Sequence, residues 1–214
     1  MTVTEFVDGP LWNFALVVFL LGIVWRLLSI FKAGSKPDYS VPRQSAASGA
    51  VMTLLRRFLP RRDMAPKIRI QTVAGYMFHL GLFALLLFAA PHVLFLEKHL
   101  LGFGWTPMPY WAFIVASQLA FLGLLLLWLH RLLNPVTRLI SDADDHIAAI
   151  LIFVVMLTGC LALLQEFTEL RVLHRFTVEL LMIYFPFSRL MHAFTFIPSR
   201  AFTGAWFGRR GVDA

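Results

Sequence analysis

Five apolar stretches, each long enough to cross a bilayer as a helix, dominate this sequence of 214 residues. The hydrocarbon core of a bilayer is spanned by about 20 helical residues, and backbone groups inside lipid must be hydrogen-bonded within their own segment. We therefore predict an all-α integral membrane protein, a five-transmembrane-helix bundle that forms a single membrane domain. The predicted spans are residues 11–31, 72–96, 110–133, 146–164 and 174–197.

Composition supports this class and excludes others. Hydrophobic residues make up 59% of the chain, which is typical of a membrane protein rather than a soluble domain. The one cysteine, Cys160, excludes an intrachain disulfide, a cysteine-ligated iron–sulfur cluster and a covalently attached c-type haem. The N-terminal residues are acidic rather than basic, so we predict no cleavable signal peptide.

The basic residues predict the orientation. The connector 32–71 has nine basic residues against two acidic ones, namely Lys32, Lys36, Arg43, Arg56, Arg57, Arg61, Arg62, Lys67 and Arg69 against Asp38 and Asp63. Such an excess marks a cytoplasmic connection, so the N-terminus is expected in the periplasm and the C-terminus in the cytoplasm, across the inner membrane. This bias also explains the net charge of +7 without nucleic acid as a partner. Within the connector, residues 51–62 predict a short amphipathic helix that lies on anionic lipid headgroups or docks a cytoplasmic partner.

Two histidines define the last predicted span. His174 and His192 are 18 residues apart, five whole turns of an ideal helix, so both imidazoles would leave one face about 27 Å apart along the axis. One imidazole near each membrane surface is what two stacked b-type haems require of a ligand helix. The alternative is two unrelated histidines, one in each headgroup region.

The second span offers two further imidazoles, at matching depths. In antiparallel spans, His79 would lie level with His192 near the inner surface, and His92 level with His174 near the outer surface. Imidazole inside a bilayer is costly, which favours ligation. The 13 residues between His79 and His92 fall about 140° short of a whole number of turns. A kink at Pro91 would be needed to correct this mismatch.

Two motifs resemble a known family. FHLG at 78–81 and FPFSRLMH at 185–192, with His174 upstream, resemble the gamma (cytochrome b) subunit of respiratory nitrate reductase. They equally resemble the cytochrome b subunits of dissimilatory sulfite-reductase-linked and heterodisulfide-reductase-like membrane complexes. The resemblance implies two b haems in a five-helix bundle, a quinone near the outer haem and an iron–sulfur protein on the cytoplasmic face.

The resemblance also implies ligands. His79 and His192 would hold the inner haem, and His174 the outer haem with a partner on the second span. The nitrate reductase subunits have that partner where this chain has Ala89. This departure favours a relative of that subunit over the subunit itself and leaves His92 as the candidate for the fourth ligand.

Three residues near the predicted haems have two interpretations each. Gly81 would let a porphyrin approach the backbone or would ease helix packing. Arg175 and Arg189 would pair with haem propionates or extend to lipid headgroups.

Three others are candidates for a quinone site. Glu179, an ionisable group within a span, would accept a proton from quinol or face a haem edge. Lys98 and His99 lie on the predicted outer loop 97–109, either at the level of the quinone or simply solvated. The remaining histidines, His130 and His146, are predicted to be surface residues at inner helix ends.

These observations predict a di-haem cytochrome b subunit with no terminal catalytic site of its own. It would transfer electrons between the quinone pool, at the outer haem, and a cytoplasmic iron–sulfur partner that is nitrate reductase beta-like or heterodisulfide-reductase-like. It would thus be the quinol-oxidising subunit of an oxidoreductase complex. Two alternatives remain: a transporter subunit whose histidines relay protons, and a haem-free membrane anchor.

Overall fold

The computed structural model describes residues 1–34, 39–163 and 167–212, and within these ranges all regular structure is helical. The α-helices are α1 (Val3–Phe6), α2 (Trp12–Ala33), α3 (Ala46–Arg56), α4 (Arg69–Phe88), α5 (Ala90–Leu96), α6 (Tyr110–Leu133), α7 (Pro135–Leu139), α8 (Ala143–Ala162), α9 (Thr168–Tyr184) and α10 (His192–Arg209). Two π-helical turns cover Val7–Leu11 and Glu97–Leu101, and two 3₁₀ turns cover Phe185–Phe187 and Arg189–Met191.

Four helices of the described chain are long and apolar enough to cross a membrane. The first is continuous from Val3 to Ala33 through its π-helical turn, and the others are α4, α6 and α8. A fifth span results if Thr168–Phe187 and Arg189–Arg209, which are bent by 79°, are counted as one. The prediction of an all-α protein with several membrane-spanning helices is confirmed.

Local sequence signals explain where two of these spans begin and end. Helix α6 has the predicted bounds, between Pro109 and the capping residue Asn134. Helix α8 begins in a capping box, in which Asp142 accepts from the amide of Asp145 and the Asp145 carboxylate accepts from the amide of Asp142. Helix α8 thus starts in the acidic stretch of residues 142–145, and Asp142 is the residue that caps it.

The second predicted span is broken near Pro91, as expected. Helix α4 ends at Phe88, Ala89 is extended, and α5 begins at Ala90 with Pro91 in its first turn. Proline suits this position because it lacks the amide hydrogen that a first turn leaves unpaired and its φ is already helical. The chain therefore restarts its helix at Ala90, two residues before His92.

The prediction of one continuous helix through His174 and His192 is wrong. Helix α9 ends at Tyr184, and Ser188 is extended between the two 3₁₀ turns. Pro186 has no amide hydrogen to continue the helix, and the Ser188 hydroxyl accepts from the amide of Leu190 at 3.2 Å, which starts a new segment. His174 therefore lies on α9 and His192 begins α10. Their 18-residue separation does not place the two imidazoles on one face of a single helix.

Other boundaries also differ from the prediction. The expected outer loop 97–109 begins as the π-helical turn Glu97–Leu101. Residues 165–171 lie between the fourth and fifth predicted spans, and their described part is helical from Thr168, where α9 starts. The first two residues of this stretch and the last residue of the fourth predicted span lie outside the described chain. The same is true of Lys36 and Asp38 in the connector. The amphipathic helix expected within 51–62 forms as α3 but ends at Arg56.

The chain divides into two compact units. The central unit, Pro66–His174, is built on close packing of α4 against α6. A Cβ atom at Gly81 would lie 2.6 Å from the carbonyl oxygen of Ala116, and one at Gly123 would lie 2.4 Å from the amide nitrogen of Phe78. Small residues thus let the two backbones approach, as in other membrane helix pairs. The core comprises Phe78, Leu85, Ala116, Ala120, Leu124 and Met156.

The terminal unit contains the residues up to Ala65 and those from Arg175 onward. In it, α2 packs on the break after α9: a Cβ atom at Gly22 would lie 2.5 Å from Cβ of Pro186. Edge-on contacts among Phe19, Phe185 and Phe194 surround this point. The break is therefore a packed element of the unit.

Helix α3 packs on α10 through glycines, which makes a testable interface. A Cβ atom at Gly49 would lie 2.3 Å from the Gly204 carbonyl oxygen and 2.8 Å from Cα of Gly208. Gly49→Ala is expected to cost about 1–3 kcal/mol and to expose α3, so trypsin should cut several-fold faster after Arg56. Ser48→Ala, at an exposed position of the same helix, is the control. Equal cleavage of both variants would contradict this packing.

Candidate functional site

Two of the predicted ligands, His92 and His174, lie together in the central unit. Their ring centroids are 6.2 Å apart and their planes are inclined by 29°. Both rings are partly buried. The two residues are 82 positions apart in the chain, so the pair is formed by the fold.

The break at Ala89 positions His92. Its Nδ1 lies 2.9 Å from the carbonyl oxygen of Leu85, seven residues earlier. The same carbonyl also accepts from the amide of Ala89 at 3.2 Å, which its two lone pairs allow. Because a carbonyl oxygen can only accept, Nδ1 of His92 carries the proton, and the lone pair of the neutral ring is on Nε2.

Helix α8 positions His174. Its Nδ1 lies 3.2 Å from the Thr158 hydroxyl oxygen, which is also within hydrogen-bonding distance of the carbonyl oxygens of Val154 and Val155. When the hydroxyl donates its single hydrogen to either carbonyl, it accepts from His174, whose Nδ1 then carries the proton. A Cβ atom at Gly159 would lie 3.0 Å from Cε1 of His174, so the glycine makes room for the ring.

The other two predicted ligands share this tautomer, each within its own unit. Nδ1 of His79, in the central unit, lies 2.7 Å from the carbonyl oxygen of Gly75. Nδ1 of His192, in the terminal unit, lies 2.8 Å from the carbonyl oxygen of Arg189. In all four rings Nδ1 lies within hydrogen-bonding distance of an oxygen, the arrangement found in metal-ligating histidines that bind through Nε2.

His146 has the opposite arrangement, although it was not predicted to be a ligand. The indole Nε1 of Trp128 donates to Nδ1 of His146 at 3.1 Å, so that nitrogen is an acceptor and the proton of the neutral ring is on Nε2. The Nδ1 hydrogen bond to oxygen therefore distinguishes the four candidates from this histidine.

The donor set of His92 and His174 fits a b-type haem. With metal–nitrogen bonds of about 2 Å, two imidazoles on opposite sides of one iron place their centroids about 6 Å apart. The observed separation is 6.2 Å. Direct contact between two imidazole rings is the alternative explanation of this distance.

A buried carboxyl group lies in the terminal unit. Glu179, on α9, is 1% exposed, and neither carboxyl oxygen has a hydrogen-bond partner among the described residues. One turn earlier, the Arg175 guanidinium donates to the carboxylate of Asp8, in the N-terminal π-helical turn. Arg175 was predicted to meet a haem propionate or lipid headgroups, whereas its partner in the structure is Asp8.

The remaining candidates have different environments. Gly81 packs against the backbone of α6, which supports its packing interpretation. Arg189 is exposed. Lys98 and His99 are exposed on a π-helical turn rather than a loop, with the His99 ring 5.0 Å from that of Phe95.

Two residues of these sites were missed from the sequence. Thr158 is a polar residue in an apolar helix and could have been found as a candidate hydrogen-bond partner. In the sequence, Asp8 stands out only as one of the acidic residues near the N-terminus. No local pattern links it to Arg175, which lies 167 residues away in the chain.

No family model matches this chain. A protein of Nitratidesulfovibrio vulgaris strain Hildenborough, described only as "Protein", is similar to it. The two are 27% identical over 219 residues, covering 97% of this chain and 92% of the relative. The similarity thus extends over nearly the whole of both chains, and the relative's description names no activity.

Proposed function

We propose that this protein is a di-haem cytochrome b membrane subunit that transfers electrons between a quinone pool and a cytoplasmic iron–sulfur protein. The observation that carries the proposal is the His92–His174 pair: two partly buried imidazoles, 6.2 Å apart, each with Nδ1 bonded to an oxygen. Such a pair inside a membrane protein is costly unless it has a task, and ligation of one iron would use both lone pairs.

In the proposed outer site, Nε2 of His92 and Nε2 of His174 would be the iron ligands. The Leu85 carbonyl and the Thr158 hydroxyl would hold the two rings with Nδ1 protonated and Nε2 available. A b haem bound there would supply one-electron redox chemistry, at a potential set by its axial ligands and surroundings.

The inner haem is proposed from the sequence resemblance, with His79 and His192 as its ligands. The tautomer of each ring supports this assignment, since both donate Nδ1 to a backbone carbonyl. Arg189 remains a candidate for a propionate partner. The 18-residue spacing of His174 and His192 does not support the inner haem, because the two residues lie on separate helices.

The quinone site and the surface for the iron–sulfur partner are proposed from the orientation that the basic connector suggests. With the N-terminus in the periplasm, His174 and Glu179 would lie on the outer half of α9, and quinol would be oxidised there. Lys98 and His99, both exposed, are candidates for its headgroup contacts. The basic connector around Arg56 and Arg57 would face the cytoplasmic iron–sulfur partner, nitrate reductase beta-like or heterodisulfide-reductase-like.

Haem content tests the proposal directly. The protein, purified in detergent from haem-replete cells, is expected to carry two b haems per chain in the pyridine haemochrome assay and to show the α-band of a b-type cytochrome on reduction with dithionite. Menadiol should produce part of the same spectral change.

Each other outcome counts against a defined part of the proposal. One haem per chain would remove the inner site. A haem-free protein would overturn the proposal and favour a membrane anchor or a proton-relaying transporter subunit. Haem that is reduced by dithionite but not by menadiol would remove the quinol-oxidising role.

A further inference from the structure

Glu179 is a buried acid whose oxygens have no hydrogen-bond donor among the described residues. It is one of the largest fully buried side chains of the described chain, at 1% exposure. An ionised carboxylate in such a place costs several kcal/mol without donors or a counter-charge. An apolar side chain of similar volume would fill such a place without that cost.

Two charged groups act on Glu179, namely Asp8 and Arg175. Arg175 precedes Glu179 by four residues on α9, so both project from the same face of the helix. Its guanidinium donates to the carboxylate of Asp8 and makes no hydrogen bond to Glu179, whose oxygens have no partner within the part of the chain that the structure describes. The Arg175 guanidinium thus lies near the carboxyl groups of both Glu179 and Asp8, and it pairs with that of Asp8.

The Arg175–Asp8 pair is accessible to solvent. The side chain of Arg175 is 53% exposed and that of Asp8 is 38% exposed. The neighbouring Val7 is buried, so the N-terminal π-helical turn has one residue in the packed interior and the next at the surface. The three charged groups therefore extend from the interior of the terminal unit to its surface.

We infer that Glu179, Arg175 and Asp8 form the route by which a proton of quinol leaves the protein. The inference rests on the proposed function for the quinol and for the cofactor that takes up its electrons. Ionised Glu179, paired with Arg175, accepts the proton of a quinol hydroxyl and becomes a neutral carboxylic acid. Arg175 then returns to Asp8, the arrangement seen in the structure, and the proton passes from Glu179 through Asp8 to water. Arg175 thus pairs with whichever carboxyl group is ionised, and no further oxidant or reductant is required.

The alternative is a purely structural ion pair that fastens the N-terminal helix to α9. The two differ in what Asp8→Asn does to Glu179. In the proton route, Glu179 keeps a proton only when Arg175 moves to Asp8. Without the Asp8 charge, Arg175 stays paired with Glu179, which therefore remains ionised. In a structural pair, the state of Glu179 and the rate of quinol oxidation do not depend on Asp8 once the protein is folded.

Infrared spectroscopy of the full-length purified protein, with no quinol added, tests the charge state. Wild type is expected to show the carbonyl absorption of a buried protonated carboxyl group that is absent in Glu179→Gln. Asp8→Asn should lose the same absorption, and the double variant Asp8→Asn/Arg175→Gln should regain it, because no cation then remains to hold Glu179 ionised. Retention of the absorption in Asp8→Asn would overturn the inference.

Menadiol-dependent haem reduction tests the proton transfer. General acid–base contributions are about 10²–10⁴-fold, so Glu179→Gln is expected to lower the maximal rate about 100-fold, and Asp8→Asn at least tenfold, with unchanged KM for menadiol and unchanged haem content. Asp8→Glu should restore most of the rate. The control Glu5→Gln removes another acid of the same N-terminal helix and should leave the rate unchanged.

The two proposals fail differently in these experiments. A haem-free protein would overturn the proposed function, whereas the infrared measurement would still test the carboxyl pair. A haem protein that menadiol reduces equally fast in wild type, Glu179→Gln and Asp8→Asn would overturn the proton route alone.

Discussion

His174→Ala is expected to halve the haem content of the purified protein, from two b haems per chain to one, and His92→Ala should do the same. The physical reason is that each imidazole would be one of two protein ligands to the same iron. Loss of a residue that only hydrogen-bonds a metal ligand lowers metal affinity about 10–100-fold, and loss of a ligand should exceed this. The double variant should lose no more haem than either single variant, because both residues serve one site.

Matched variants distinguish the loss of a haem ligand from a general loss of the fold. His146→Ala removes the histidine of opposite tautomer, and His99→Ala removes an exposed one; both should keep two haems. Thr158→Val leaves His174 in place but removes its hydrogen-bond acceptor, so it should weaken haem retention about 10–100-fold. Full haem content in His92→Ala and His174→Ala would refute the outer site.

Gly81→Ala is expected to be the most destabilising single methyl group added to α4. The new Cβ atom would lie 2.6 Å from the carbonyl oxygen of Ala116 and 2.7 Å from the amide nitrogen of Ala120. Both atoms are backbone, so α4 and α6 must move apart, at a cost of about 1–3 kcal/mol or more. The thermal midpoint in detergent should fall by several degrees in the haem-free protein.

Gly75→Ala is the control on the same helix. A Cβ atom at Gly75 meets nothing within 4 Å, and replacing a helical glycine with alanine gains about 0.5–1 kcal/mol. A stabilised Gly75→Ala with a destabilised Gly81→Ala would establish that Gly81 serves helix packing. If Gly81→Ala lost haem while the haem-free protein kept its stability, the porphyrin interpretation would stand instead.

The sequence by itself determines the helical membrane class and the approximate position of each span. The physical reason is that lipid imposes a minimum apolar length and internal hydrogen bonding on each span. Residues close together in the sequence also determine the start of α8, where the side chains of Asp142 and Asp145 accept hydrogen bonds from two amides at the helix end. They determine the helix break near Pro91 as well, because the missing amide hydrogen of proline is a local property.

The break within the last span was not predicted, although Pro186 was visible in the motif. A proline in an apolar helix is tolerated when neighbouring groups satisfy the freed backbone, so its presence alone does not decide between a kink and a break. Here Ser188 caps the next segment and Gly22 of α2 receives Pro186. A side-chain cap and a contact from a distant helix together favour the break.

The tertiary structure decided which side chains meet. Depth counting paired His92 with His174 but could not give their distance, because the orientation of each ring depends on the break at Ala89 and on the contacts of His174 with Thr158 and Gly159. The same is true of Asp8 and Arg175, which are 167 residues apart, and of the burial of Glu179. Helix periodicity determines the face on which a residue lies along its own helix, whereas contacts between residues distant in the chain depend on how separate helices pack.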